Sequence, residues 1–202
     1  MSDSEPHFST NSPDSPAGRL VVISGPSGVG KSTVVDGLRD VWPFEFSVSA
    51  TTRPPRADEV AGEDYHFVNR DVFEAMIDSQ QFLEWAEYAE HLYGTPRRPI
   101  VEALEAGQNI LLDIEVKGAV QVMEAYPEVC TIFLMPPSME VLERRLRGRN
   151  DTDQSAIEGR LAVAEMQMAV GRERFQHRLI NEDVSATIRA IRRILSSDQS
   201  PV

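Results

Sequence analysis

The stretch Val21-Val22-Ile23-Ser24-Gly25-Pro26-Ser27-Gly28-Val29-Gly30-Lys31-Ser32-Thr33 constrains this chain more than any other. An apolar, β-branched run leads into Gly25, and Gly30-Lys31-Ser32 follows at the spacing of the phosphate loop, G-x-x-x-x-G-K-[ST]. That pattern demands a strand before it and a helix after it. Its glycines let the backbone come close to anionic oxygens, which successive N–H groups and the helix N-terminus then face. Gly25, Pro26, Ser27, Gly28, Val29, Gly30, Lys31, Ser32 and Thr33 are therefore candidate ligands of a nucleoside triphosphate. Lys31 has the reach for the β- and γ-phosphates, and the Ser32 hydroxyl is placed to ligate Mg2+. A glycine-rich turn without a ligand is the bland alternative, and the flanking strand and helix signals weigh against it.

Strand and helix signals alternate along the rest of the chain. Residues 19–24 and the runs NILLDI and CTIFLM read as buried parallel strands, each followed by a helical pattern. A helix starts at Lys31 and Pro43 helps to end it, while FEFSVSA and EDYHFV read as a second and third strand. The stretch from Asp71 to Ala89 has helical spacing at Val72, Phe73, Met76 and Ile77. Residues 152 to about 175 read as a longer helix with Ile157, Leu161, Ala164, Met168 and Phe175 on one face. RLIN is a short last strand, and Val184 to Leu195 a closing helix. The expectation is one α/β domain with a largely parallel sheet flanked by helices. Residues 1–18 and 197–202 are rich in Ser and Pro and read as flexible tails.

Composition narrows the partners. Twenty basic against 32 acidic residues give a net charge of −12, which argues against a protein that coats nucleic acid or a membrane surface. No apolar run reaches spanning length, and no basic, apolar leader precedes Arg19, so a cytoplasmic protein is expected. The single cysteine, Cys130, sits in an apolar run and reads as a packing residue.

The phosphate loop does not say what accepts the phosphoryl group. Asp113, ending NILLDI, matches a Walker B acid acting on Mg2+ through water, which serves hydrolysis and transfer alike. Residues 46–68 hold Arg53 and Arg56 among hydroxyl side chains, followed by Gly-Glu-Asp-Tyr65. Two guanidinium groups beside a tyrosine suit a second phosphate, although an isolated Arg-Pro-Pro-Arg is more often a solvated turn.

Five collinear segments, SGPSGVGKST, SVSATTRPPR, GEDYHFV, FLEWAEYAEHLYGT and LLDIEVKGA, resemble the guanylate kinase family, in order from about Arg19 to Leu195. The resemblance implies a P-loop core (19–48, 97–143 and 161–196), a GMP-binding domain at 49–96 that ends at a YGT turn, and a mobile lid at 144–160, together one domain over 19–196. It implies ATP-dependent phosphorylation of GMP, and of dGMP, with Mg2+ as cofactor, GMP and ATP as substrates, and no protein, nucleic-acid or membrane partner. Arg53, Arg56, Tyr65 and Tyr93 match positions that hold the GMP phosphate. Ser49, Glu84, Thr95 and Glu115 match positions that read guanine, and Asp113 lies with them. Guanine offers N1–H and N2–H2 donors and an O6 acceptor, so carboxylates and hydroxyls complement it, whereas adenine mispairs with them. Many family members carry Asp-x-Asp where this chain has Asp113-Ile114-Glu115, and the extra methylene shifts the oxygens by roughly a C–C bond length.

The resemblance further implies that Lys31, Arg53, Arg145, Arg149 and Arg160 act on the transferring group, the last three from the lid. As residues alone, ERRLRGRN also has a plainer reading, a solvated helix face. Asn181 matches a contact to the adenine of ATP, with a turn-forming role nearly as good a reading. Two rivals stand beside the kinase: a catalytically dead binding module of the same fold, against which the intact loop argues, and a related kinase for another nucleotide or a sugar phosphate, against which the guanine-reading set argues.

Overall fold

The computed structural model describes residues 18–88, 90–148 and 154–197. In chain order the elements are β1 (Leu20–Ser24), α1 (Lys31–Leu38), β2 (Glu45–Phe46), β3 (Ser49–Thr51), β4 (Tyr65–Phe67), α2 (Arg70–Asp78), β5 (Phe82–Tyr88) and β6 (His91–Pro96). They continue with α3 (Arg97–Glu105), β7 (Ile110–Asp113), α4 (Val116–Ala125), β8 (Cys130–Met135), α5 (Met139–Arg147), α6 (Gln154–Arg174), β9 (His177–Ile180) and α7 (Val184–Ser197). The N-terminal tail through residue 17, Arg149 and residues 198–202 lie outside the described residues.

β1 is buried at every position because it stands in the middle of a parallel sheet of order β2-β7-β1-β8-β9. Successive side chains point to opposite faces, so a strand covered on both sides is apolar throughout. On one face Leu20, Val22, Leu112 and Phe133 pack with Ile100 of α3, Val122 of α4 and Phe175. On the other, Val21, Ile23, Leu111 and Ile132 meet Val34 and Leu38 of α1 and Ile191 and Leu195 of α7. Cys130 is buried in that second layer, as its apolar run predicts. Ile157, Leu161, Ala164 and Met168 are buried or half-buried on α6, and Phe175 follows its end to pack on Phe133. The fold is α/β with a parallel core sheet flanked by helices. Among the described residues no helix is long and apolar enough to cross a membrane.

A second sheet, of order β4-β3-β6-β5, is mixed and covered by α2. Its core is Ala50, Phe73, Phe82 and Leu92, with Phe73 and Phe82 stacked at 4.4 Å. Three expectations change here. FEFSVSA is two strands, because β2 pairs with β7 in the first sheet while β3 pairs with β4 and β6 in the second. An unbroken extended pattern carries no mark of which neighbour it will pair with. The helix expected from Asp71 to Ala89 stops at Asp78, where Ser79 caps it and Gln80 takes a φ of 53°, and β5 follows. Within that helix Phe73 is buried, but Val72 is 45% exposed. Tyr93-Gly94-Thr95, expected as a turn, lies inside β6, paired on one side with β5 and on the other with β3.

Candidate active site

The loop after β1 turns directly into α1, and Gly30 at the junction has a φ of 98°, in the left-handed region that favours glycine. A side chain there would also collide with Asn181, since a Cβ would lie 2.8 Å from its Nδ2. The Lys31 ammonium donates to the Gly25 carbonyl at 2.8 Å, folding back along the loop, while Ser27, Ser32 and Thr33 are exposed. The loop is braced from behind. Val29 C=O accepts from Asn181 Nδ2 at 2.9 Å and from the Arg145 guanidinium at 3.0 Å, and Arg145 also donates to Asn181 C=O at 3.2 Å. Thr187 of α7 donates to Asn181 Oδ1 at 3.0 Å.

Both ends of the Asn181 amide are thus engaged with protein, and the residue is 2% exposed. Arg145 belongs to α5, whose Leu142 and Leu146 are buried against α6, so its side chain is tied to the phosphate loop. Arg160 is exposed on α6, and Arg149 lies outside the described residues.

Facing the loop is a cleft of about 280 Å³ between the two sheets, lined by Lys31, Ser49, Tyr65, Glu84, Tyr93, Asp113 and Glu115 with Ala86, Tyr88, Gly94 and Ile114. Strand register brings dispersed residues together: Ser49 pairs with Tyr65 across β3 and β4, and Glu84 with Thr95 across β5 and β6. Glu84 is 6% exposed and Thr95 is fully buried. The Thr95 hydroxyl donates to Glu84 Oε1 at 2.5 Å. Burial raises the Glu84 pKa, and the hydrogen bonds from Thr95 oppose the rise only in part. Asp113 opens onto the cleft, yet protein surrounds it closely enough for desolvation to raise its pKa. Lys31 opposes that rise, and Glu115 and Asp36 add to it.

At the outer end, Tyr65 and Tyr93 meet edge to face with centroids 6.0 Å apart, and the Arg53 guanidinium lies 5.5 Å above the Tyr65 ring. Burial, with Tyr93 second, raises the Tyr65 pKa. Arg53 is paired with Glu59 at 2.6 Å, and the Arg56 backbone N–H donates to the other Glu59 oxygen at 2.7 Å. Those two contacts hold the Glu59 carboxyl below its ordinary range. The Arg56 side chain is 72% exposed. Glu115 turns one oxygen toward α6, where Gln167 Nε2 donates to it at 2.7 Å.

The sequence reading missed Glu59, Gln167 and Thr187. Glu59, an acid three residues after Arg56, carried a signal in its spacing. Gln167 and Thr187 carried none, because they meet their partners only through the packing of α6 and α7.

A model of the guanylate kinase family matches residues 17–198. A guanylate kinase of Thermosynechococcus vestitus is 49% identical over 175 residues, covering 86% of this chain and 91% of the relative. One of Synechocystis sp. is 43% identical over 183 residues, covering 90% and 95%. The crystal structure of guanylate kinase from Anaplasma phagocytophilum superposes with a TM-score of 0.75 at 33% identity, over 93% of this chain and 89% of that one. This chain belongs to the guanylate kinase family.

Proposed function

We propose that the chain transfers the γ-phosphoryl group of ATP to GMP, yielding ADP and GDP. One observation carries the reading: Lys31 of the phosphate loop and the buried Glu84 line the same cleft. A donor-side cation and a base-reading carboxylate on one cavity suit two nucleotides meeting end to end.

In this reading the phosphate loop holds the ATP phosphates, and Arg53, Arg56, Tyr65 and Tyr93 hold the GMP phosphate. Ser49, Glu84, Thr95 and Glu115 read the guanine edge. A GMP phosphate oxygen attacks the γ-phosphorus in line, forming one P–O bond as the bond to the β,γ-bridging oxygen breaks and ADP leaves. The transition state spreads charge over phosphoryl oxygens, so positioning and cations supply the catalysis and no covalent nucleophile is needed. Lys31 neutralises charge on the donor side. Arg160 and Arg149 are proposed to join it on closure, and Arg145 to hold the loop while facing it. Asn181, engaged at both ends of its amide, is proposed to act at least as a brace of the loop.

Mg2+ fits the residues present. The Ser32 hydroxyl is exposed in the first turn of α1, and the Asp113 carboxylate lines the cleft beside Lys31 and Glu115. We propose that Ser32 and, through water, Asp113 would hold the ion, which would neutralise charge on the phosphate oxygens. The domain limits expected from the sequence, with GMP binding at 49–96 and a lid at 144–160, are part of the proposal. So are a cytoplasmic location and GMP and ATP as the only partners.

The test is ADP formation from ATP with GMP, dGMP, AMP and UMP side by side. GMP and dGMP are expected to be used. Absence of turnover with GMP would point to a binding module, and preference for AMP or UMP would overturn the guanine reading.

A further inference from the structure

Gly118 is the third residue of α4 and is buried. Alanine is the better helix former at such a position, because glycine loses more backbone freedom on folding. Nor does the backbone call for glycine, since Gly118 is absent from the residues with positive φ. A reason for glycine therefore lies outside helix α4.

That reason is Glu84. A Cβ on Gly118 would stand 2.1 Å from Glu84 Oε2 and 2.9 Å from its carboxyl carbon. The carboxylate of β5 occupies the space that a side chain of α4 would fill. Its other oxygen is held by the Thr95 hydroxyl. α4 cannot simply step back, because Gln121, one turn further on, is bonded to β5 twice: its Nε2 donates to Trp85 C=O at 2.7 Å and its Oε1 accepts from Trp85 N–H at 3.1 Å. Glu84 is thus seated between a hydroxyl on one side and a bare patch of helix backbone on the other.

We propose that Gly118 is a specificity-determining positioning residue for the nucleotide base. Its missing side chain sets the depth at which the Glu84 carboxylate stands. The proposal rests on the reading of Glu84 as the acceptor for guanine N1–H and N2–H2. An alanine at 118 would push the carboxylate back by about 1 Å, a displacement that costs a recognition site up to about 10²-fold.

The experiment is steady-state kinetics of Gly118→Ala with GMP and with inosine monophosphate, which lacks the 2-amino donor, alongside thermal unfolding. The KM for GMP should rise about 10-fold or more while the KM for ATP stays within about 2-fold. The preference for GMP over inosine monophosphate should fall, because the nucleotide that uses both donors loses more. A merely structural role would lower turnover with both nucleotides alike and leave the preference intact. Glu84→Asp supplies the second arm, since shortening the acid by one methylene withdraws it from the added Cβ. Gly118→Ala on the Glu84→Asp background should then add little to the effect of Glu84→Asp alone. If Gly118→Ala does not fold, the Glu84→Asp pairing should restore folding. Full additivity, an unchanged GMP KM, or a fold that Glu84→Asp fails to restore would each overturn the proposal. Wild-type protein inert with GMP would sink the functional reading itself, whereas active wild type with an indifferent Gly118→Ala sinks only this inference.

Discussion

The two sides of the cleft are made in different ways. The phosphate-loop side is one unbroken stretch, Gly25–Thr33, that runs straight into the start of α1. It is braced from beneath by buried side chains, with Asn181 2% and Thr187 3% exposed. The opposite side draws single side chains from β3, β4, β5, β6 and β7, among them the buried Glu84. A site built from backbone tolerates changes of side chain that leave its braces intact. One built from dispersed side chains is sensitive at each of them, and burial raises the pKa of Glu84, Asp113 and Tyr65.

The largest expected effect separates the two sides. Lys31→Ala should reduce kcat by about 10³-fold or more while GMP affinity, measured by calorimetry, stays within a few-fold. Equal loss of both would break the division of labour between the sides.

Glu84→Gln keeps the shape and removes the charge, and kcat/KM for GMP should fall about 10²-fold. Its pH behaviour sharpens the comparison. Burial raises the folded-state pKa of Glu84, so the folded protein keeps this proton to higher pH than the unfolded chain does. The stability from that proton is present at low pH and declines as pH rises from the ordinary glutamate range through the raised value. GMP binding runs the other way in that window, strengthening as the acceptor carboxylate forms. Asp113 is shifted in the same direction, so the difference between wild type and Glu84→Gln isolates Glu84. Parallel pH profiles for the two proteins would refute the assignment.

Asn181→Ala tests the brace and should have the smallest effect. The KM for ATP should rise about 10-fold, and stability should fall by about 1–2 kcal/mol as the bonds of the Asn181 amide to Val29 C=O and the Thr187 hydroxyl are lost. Loss of equal size with GTP as phosphoryl donor marks a brace of the loop. Loss confined to ATP would mark Asn181 as a reader of adenine.

What the sequence determined by itself was whatever is local. The phosphate loop was legible because one contiguous run supplies strand, glycines, lysine and helix start. The buried strands β1, β7 and β8 were legible because cover on both faces makes them predominantly apolar. Glu84 and Tyr93 could be named only through resemblance to a family, since nothing local marks them as neighbours of Arg53 and Tyr65.

The tertiary structure decided the rest, through contacts that span the chain. It divided FEFSVSA between two sheets, turned the second half of an expected helix into β5, and gave Glu115 a partner in Gln167, 52 residues away. It seated the Glu84 carboxylate against Gly118, a fit that strand-to-helix packing alone creates. Propensity and pattern act over a few residues. Pairing choice, carboxylate depth and the bracing of a loop depend on which surfaces meet after the chain has collapsed.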